Sequence, residues 1–239
     1  YDFYSLSNSN CKYVYEINDF QYSDLALQNS DLALVTNKEY YPLGPTYYSH
    51  PWPVNIHEPQ LNSIRKIRKI VYMGSLIGLH SLDLMTTILE ELNKYESWEV
   101  HVYGPPQKYR IIKNLKYFKY KGYVESEKIS PTLSKYMFGF ALYSISKDKN
   151  RLNVGSPSKT IHYLMNGVVS ITNLINDSKL EKICGQNIIN LNNHSIEDVV
   201  SKILSIHMHY QGLKINTKWI ANKYHPNNYY SQMLKMIDR

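Results

Sequence analysis

Cysteine is nearly missing from this 239-residue chain: Cys11 and Cys184 lie far apart and form no CxxC pair. That excludes a disulfide scaffold and a thiolate zinc site. Long hydrophobic runs are missing too. No segment approaches the roughly 18–20 apolar residues of a membrane span, and no signal-peptide pattern opens the sequence. Asn176-Asp177-Ser178 and Asn193-His194-Ser195 match a glycosylation sequon but have no secretory context, so they read as chance. Metal-ligand spacing is absent as well. His207 and His209 stand two apart on a helix and point to different faces, so no protein-bound metal is expected. Phe and Trp are scarce, 5 and 3, whereas Tyr reaches 23. Tyr rings can pack while their hydroxyls stay wet, so the core is more apolar than the composition suggests. We read the Tyr, Asn, Lys and Ile excess as compositional drift. Charged residues make up 20% and hydrophobic ones 43%, which excludes a disordered chain. The 27 Lys+Arg against 20 Asp+Glu give +7, without the dense runs of a nucleic-acid arm. No nucleic-acid partner is expected. The excess suits an anionic small ligand or an anionic membrane surface.

What is present is an alternation of two element types. "KIVYMG", ending at Gly74, reads as a buried strand opening into a loop. "SLDLMTTILEELNKYE" places Leu82, Met85, Leu89 and Leu92 at helical spacing, with Ser81 as cap. "WEVHVYG" is a second strand ending at Gly104, and Phe118–Lys121 a third. "SEKISPTLSKYM" reads as a helix and "GFALYSIS" as a fourth strand. "SPSKTIHYLMNG" is a helix with Pro157 in its first turn and Gly167 as C-terminal cap. "VVSIT" and "NIINL" are strands five and six, separated by a short helix closed by Gly185. "SIEDVVSKILSIHMHY" is the last helix of this span. The strands are continuously apolar instead of alternating. That predicts an α/β fold for residues 67–212: a Rossmann-like parallel sheet of about six strands with helices on both faces.

The flanks differ. Residues 1–60 predict two strands, "YVYEIND" and "SDLALVT", a short helix around Asn37–Tyr41, and an irregular linker with Pro42, Pro45, Pro51, Pro53 and Pro59. Two strands cannot bury a core alone, so this stretch reads as the end of a preceding α/β domain, and further chain is expected before Tyr1. Residues 213–239 predict two short helices broken at Pro226. Trp219/Ile220 and Tyr230/Met233/Leu234/Ile237 form apolar stripes expected to pack back on the N-terminal part.

The order of these pieces resembles a GT-B glycosyltransferase, close to glycosyltransferase family 4: its C-terminal donor-binding domain with the end of its N-terminal domain. "VYMGSLIGLHSLDLM", "WEVHVYG" and "KYKGYV" stand for the first three strands and their loops. "SPSKTIHYLMNGVVSI" is similar to the family's Pro-x-Lys-x-x-Glu-Tyr-x-x-x-Gly-x-Pro-Val, matching at Pro157, Lys159, Tyr163, Gly167 and Val169. It departs from the family where His162 replaces Glu, where Val154 stands at the place of a second acid, and where Ser75 and Leu79 replace Arg and Lys in the first loop.

The resemblance implies a transferase that moves a hexose-type sugar from a nucleotide diphosphate sugar, UDP-linked by analogy, to a cell-surface polysaccharide or lipid-linked acceptor. No cofactor beyond that donor is implied. The expected place is the cytoplasm, with peripheral contact at the inner face of the membrane. Gly74, Ser75 and Gly104, at strand ends, can bring backbone N–H groups to a diphosphate. Lys159, in a helix's first turn, can neutralise the leaving diphosphate. His162, three residues on, can bond a ribose hydroxyl. Tyr123 can meet the nucleobase. The plainer alternatives are a turn glycine, a solvated Lys159, a partly buried His162 and a core Tyr123. No residue presents itself as general base; the resemblance puts it in segments before Tyr1. Two rivals are a catalytically inactive glycosyltransferase-like partner subunit and a Rossmann dinucleotide enzyme. The second lacks Gly-x-Gly-x-x-Gly: "GSLIGLH" has only Gly74 and Gly78.

Overall fold

The computed structural model describes residues 14–17, 32–35, 47–49, 66–74, 82–106, 109–143, 158–174, 181–182 and 184–209, with residues 220, 227–228, 231 and 234–235. The chain divides into two compact units, Tyr1–Asn55 with Asn222–Arg239, and Ile56–Ala221.

In the first unit, β1 (Val14–Ile17), β2 (Leu32–Val35) and β3 (Tyr47–Ser49) pair in that order, all parallel. The third strand lies in the proline-rich stretch read above as linker. Its residues, "YYS", sit between Pro45 and Pro51, in one of the two longest proline-free gaps of that stretch, and β2 supplies a template. The helix expected around Asn37–Tyr41 lies outside the described residues.

The second unit is built from β4 (Lys66–Met73), α1 (Leu82–Leu92), β5 (Glu99–Tyr103), α2 (Tyr109–Ile112), β6 (Phe118–Gly122), α3 (Ser126–Leu133), β7 (Tyr136–Ala141), α4 (Ser158–Met165), β8 (Val169–Thr172), β9 (Ile188–Asn190) and α5 (Ile196–Met208). Six strands form one sheet in the order β6-β5-β4-β7-β8-β9, every pair parallel. The parallel α/β sheet expected from the apolar strands is therefore present. β7 and β8 are buried along their length, all six residues in β7. α1 and α5 cover one face: Met85, Ile88, Leu89, Val199 and Ile203 pack with Ile70, Tyr72, Val100, Phe138 and Phe140. α3 and α4 cover the other, where Leu133 and Tyr163 pack with Val71, Tyr136 and Ala141. α5 starts on a capping box between Ser195 and Asp198, which satisfies helix-terminal N–H groups.

One boundary moves. The fourth strand begins at Tyr136, so Tyr136 and Met137 leave the helix to which the sequence reading assigned them. Pro131 inside α3 withholds an N–H from the helix ladder, and the Ser134 hydroxyl donates to the Pro131 carbonyl at 3.2 Å, so the chain turns after Leu133.

Tyr163 ties the two central strands together. Its ring lies over Gly139 of β7, where an added Cβ would come within 2.7 Å of the ring. Its hydroxyl donates to the Phe140 carbonyl at 3.1 Å and accepts from the Met73 N–H at 3.2 Å. Tyr163→Phe keeps the packing but strands both backbone groups. It is expected to cost about 1–3 kcal/mol in urea unfolding, the penalty for buried unsatisfied groups.

Candidate functional site

In a parallel sheet all strands end at one edge, and a crevice opens where successive crossovers leave in opposite directions. Here that point lies between β4 and β7: the chain leaving β4 goes on to β5 on one side, and the chain leaving β7 goes on to β8 on the other. Gly74 directly follows β4. Lys159 is the second residue of α4, the helix between β7 and β8. Two of the predicted site residues therefore flank the crevice point.

Beside it the ends of β4, β5 and β6 are stitched into a backbone floor. The Gly74 N–H donates to the Tyr103 carbonyl at 2.9 Å, and the Gly104 N–H donates to the Gly122 carbonyl at 3.0 Å. The Tyr120 hydroxyl donates to the Gly104 carbonyl at 2.8 Å from below the same rim. Gly74 has φ +135°, a conformation that side-chain-bearing residues rarely adopt. Gly104 is required for a different reason. A Cβ there would lie 2.4 Å from the Gly74 carbonyl oxygen.

Lys159 lies across this floor. A Cβ placed on Gly74 would meet Lys159 Cε at 3.0 Å and Nζ at 3.3 Å, so the absence of a side chain at residue 74 is what admits the lysine. The ammonium sits over two tyrosine rings, 5.1 Å from the centroid of Tyr72 and 5.3 Å from that of Tyr143. Cation–π attraction offsets part of the cost of taking the charge out of water. Burial still prevails and lowers the Lys159 pKa to about 7. Burial pushes the phenols of Tyr72 and Tyr163 up, so both stay neutral. Near neutral pH Lys159 therefore exchanges between its neutral and charged forms, and an arriving anion would favour the charged one.

Tyr143 is held in place by Asn173, just past β8. The Asn173 side chain accepts from the Tyr143 N–H at 2.9 Å and donates to the Tyr143 carbonyl at 2.8 Å. Asn192 then donates to the Asn173 carbonyl at 2.7 Å. The Ser170 hydroxyl donates to the buried Thr160 hydroxyl at 3.3 Å and so fixes α4 against β8. Tyr72, Tyr143 and Asn173 escaped the sequence reading. The only signal for them was their place at or just past strand ends.

Gly74, Gly104 and Lys159 are therefore brought together. His162 is half-buried one turn further along α4, with its carbonyl accepting from the Asn166 amide at 2.7 Å. Tyr123 follows Gly122 at the β6 end of the floor and is 68% exposed, which rules out the core role left open above. Ser75, Ser81, Leu79, Val154 and Pro157 lie outside the described residues. Among the described residues no group of three His, Cys, Asp or Glu could hold a metal ion.

No protein-family model matches the sequence, and no curated protein does. Solved structures do match. TarM aligns with TM-score 0.67 at 16% identity, over 89% of this chain and 44% of its own. The pneumococcal O-GlcNAc transferase GtfA, solved with UDP and GlcNAc, aligns with TM-score 0.59 at 16% identity, over 90% of this chain and 47% of its own. An alpha-glucosyltransferase solved with UDP aligns with TM-score 0.64 at 14% identity, over 95% of this chain and 73% of its own. The fold is that of the GT-B glycosyltransferases. The chain spans just under half the length of the first GT-B structures that it matches.

Proposed function

We propose that this chain is the donor-binding part of a glycosyltransferase similar to family 4, and that its crevice takes a nucleotide diphosphate sugar, UDP-linked. The observation that carries the reading is the packing of Lys159 across the Gly74–Gly104 floor at the switch point of a GT-B sheet. Gly74 and Gly104 have spent their own N–H groups on the Tyr103 and Gly122 carbonyls, so they serve by leaving room for the diphosphate rather than by donating to it, as the sequence had suggested. Ser75 offers its backbone, and the Lys159 ammonium meets the charge. Negative charge grows on the leaving diphosphate as the glycosidic bond breaks, so a cation there stabilises the transition state more than the ground state. His162 bonds the ribose, and Tyr123 lies against the base. The acceptor is a cell-surface polysaccharide or a lipid-linked glycan, met on the cytoplasmic side of a membrane. Among the described residues no helix is long and apolar enough to cross a membrane, so the contact in this reading is peripheral.

A second reading is a non-catalytic partner subunit. His162 and Val154 stand where the resemblance expects acids, and one structure that the chain resembles is a two-protein GtfA/B complex, with TM-score 0.60 at 12% identity. Release of UDP from UDP-sugars separates the two. Slow sugar-dependent release that Lys159→Ala suppresses is the outcome expected of an enzyme. Tight UDP binding with no release under any acceptor leaves the partner reading.

A further inference from the structure

One part of this chain's basic excess falls in a short stretch. Between Glu99 and Glu125 there is no acidic residue, and Lys108, Arg110, Lys113, Lys116, Lys119 and Lys121 all fall there. None of these stands next to another in sequence, which is why the stretch does not look like a basic run. The fold gathers the last five. α2, the turn after it and β6 form one border of the sheet, and β6 pairs only with β5 among the described strands. Arg110, Lys113, Lys116, Lys119 and Lys121 are all exposed on that border. Lys119 is engaged with Glu99, which also binds Lys69 at 2.7 Å. The Lys116 ammonium lies 5.1 Å over the Tyr117 ring. The border ends at Tyr123, 68% exposed, beside the glycine floor.

The α1–α5 face has the opposite sign. Asp83, Glu90, Glu91, Glu197 and Asp198 stand there against Lys202 of α5 and Lys94, which pairs with Glu91. The unit is therefore electrically polarised, with its positive side along the sheet border. Edge lysines also deter strand-to-strand pairing. Arg110, Lys113 and Lys116 lie in α2 and the following turn, where no strand edge needs guarding.

We propose that this border is a docking surface for an anionic lipid bilayer. The claim rests on the reading of the site as one that serves a membrane-bound acceptor, and it names the surface that would bring the site there. Two features favour lipid over nucleic acid. Lysines outnumber arginine on the border; a lysine acts as a point charge, whereas phosphate and base recognition in nucleic acids favours the bidentate arginine fork. The charges also follow a sheet border with an exposed tyrosine at its end, and tyrosine favours the boundary between water and lipid. Docking there would set the glycine floor, which shares the Tyr123 end of the border, close to the lipid headgroups.

Vesicle co-sedimentation of the full chain tests this, using phosphatidylcholine vesicles and phosphatidylserine-rich ones. Binding is expected only to the phosphatidylserine vesicles and should be lost at high salt. Each border lysine contributes about fivefold, so Lys113→Gln/Lys116→Gln/Lys121→Gln together should weaken partitioning on the order of 100-fold. The control variant Lys94→Gln/Lys182→Gln/Lys202→Gln loses the same charge elsewhere and should partition as wild type does. Equal loss in both variants would show that net charge alone acts and would overturn the proposal. So would wild-type partitioning of the border variant, or a border variant that loses only polynucleotide binding. UDP titration of the border variant keeps the two readings apart. It should bind UDP as the wild type does, and if neither binds UDP, the reading of the site has failed while the vesicle result still stands.

Discussion

Lys159→Ala is expected to weaken UDP by about 1.5–3 kcal/mol, roughly ten- to 150-fold, and to leave uridine unchanged, because a charge-assisted hydrogen bond carries that much and the nucleoside has no phosphate to lose. The lowered pKa adds a signature that an ordinary surface lysine lacks. Burial holds the Lys159 pKa at about 7, so part of the population is neutral when the site is empty. The diphosphate requires the ammonium, and binding therefore takes up a proton. The sign follows from linkage: the bound state holds more protons, so affinity falls as pH rises. From about pH 7 to about pH 9 the phosphates of UDP stay ionised while free Lys159 loses its proton, and affinity should drop by up to about tenfold per pH unit. Lys159→Arg keeps its charge across this window and should show a flat profile. Calorimetry in two buffers of different ionisation enthalpy would count the proton directly. A wild-type profile as flat as that of the arginine variant would show that Lys159 is already charged in the empty site.

Gly104→Ala is expected to be the most damaging single methyl in the site. The new Cβ would lie 2.4 Å from the Gly74 carbonyl oxygen, a backbone atom that no rotamer change can move away. The ends of β4 and β5 must part, breaking the Gly74–Tyr103 hydrogen bond and withdrawing Gly74 from beneath Lys159. Overpacking of this kind costs typically 1–3 kcal/mol, and denaturant unfolding should report it. UDP affinity should fall with it, since the floor and the lysine are one assembly. Gly122→Ala is the comparison: a Cβ at Gly122 meets nothing within 4 Å, though its φ of +98° still carries strain. It should keep UDP binding while losing some stability. If Gly104→Ala binds UDP and unfolds like the wild type, the close approach of the two strand ends is not what shapes the site.

The parts of this structure that the sequence revealed are those written in local pattern. Continuous apolar runs announced the strands, and the spacing of Leu82, Met85, Leu89 and Leu92 announced α1. Pro131 was visible too, but its effect was underestimated. A proline six residues into a short helix sets its end, and Tyr136 then had to open the central strand. β3 was masked by the prolines around it. The site was legible in part for the same reason. Gly74, Gly104 and Lys159 stand at strand ends or in the next helix, where a parallel sheet makes such residues converge. The cage around Lys159 was not legible, because Tyr72, Tyr143 and Asn173 are far apart in sequence and belong to residue types common throughout the chain. Their abundance, read as drift, hid tyrosines and asparagines that hold the rim of the crevice. The basic border was missed because its cations are spaced singly and only the turn between α2 and β6 unites them.

Calorimetric titration of the unmodified chain with UDP and, separately, with uridine tests the central claim most directly. The account predicts that UDP binds more tightly than uridine by at least the contribution of the Lys159 contact, about 1.5–3 kcal/mol, with proton uptake near neutral pH. Equal affinity for the two ligands, or binding of neither by a correctly folded chain, would contradict it.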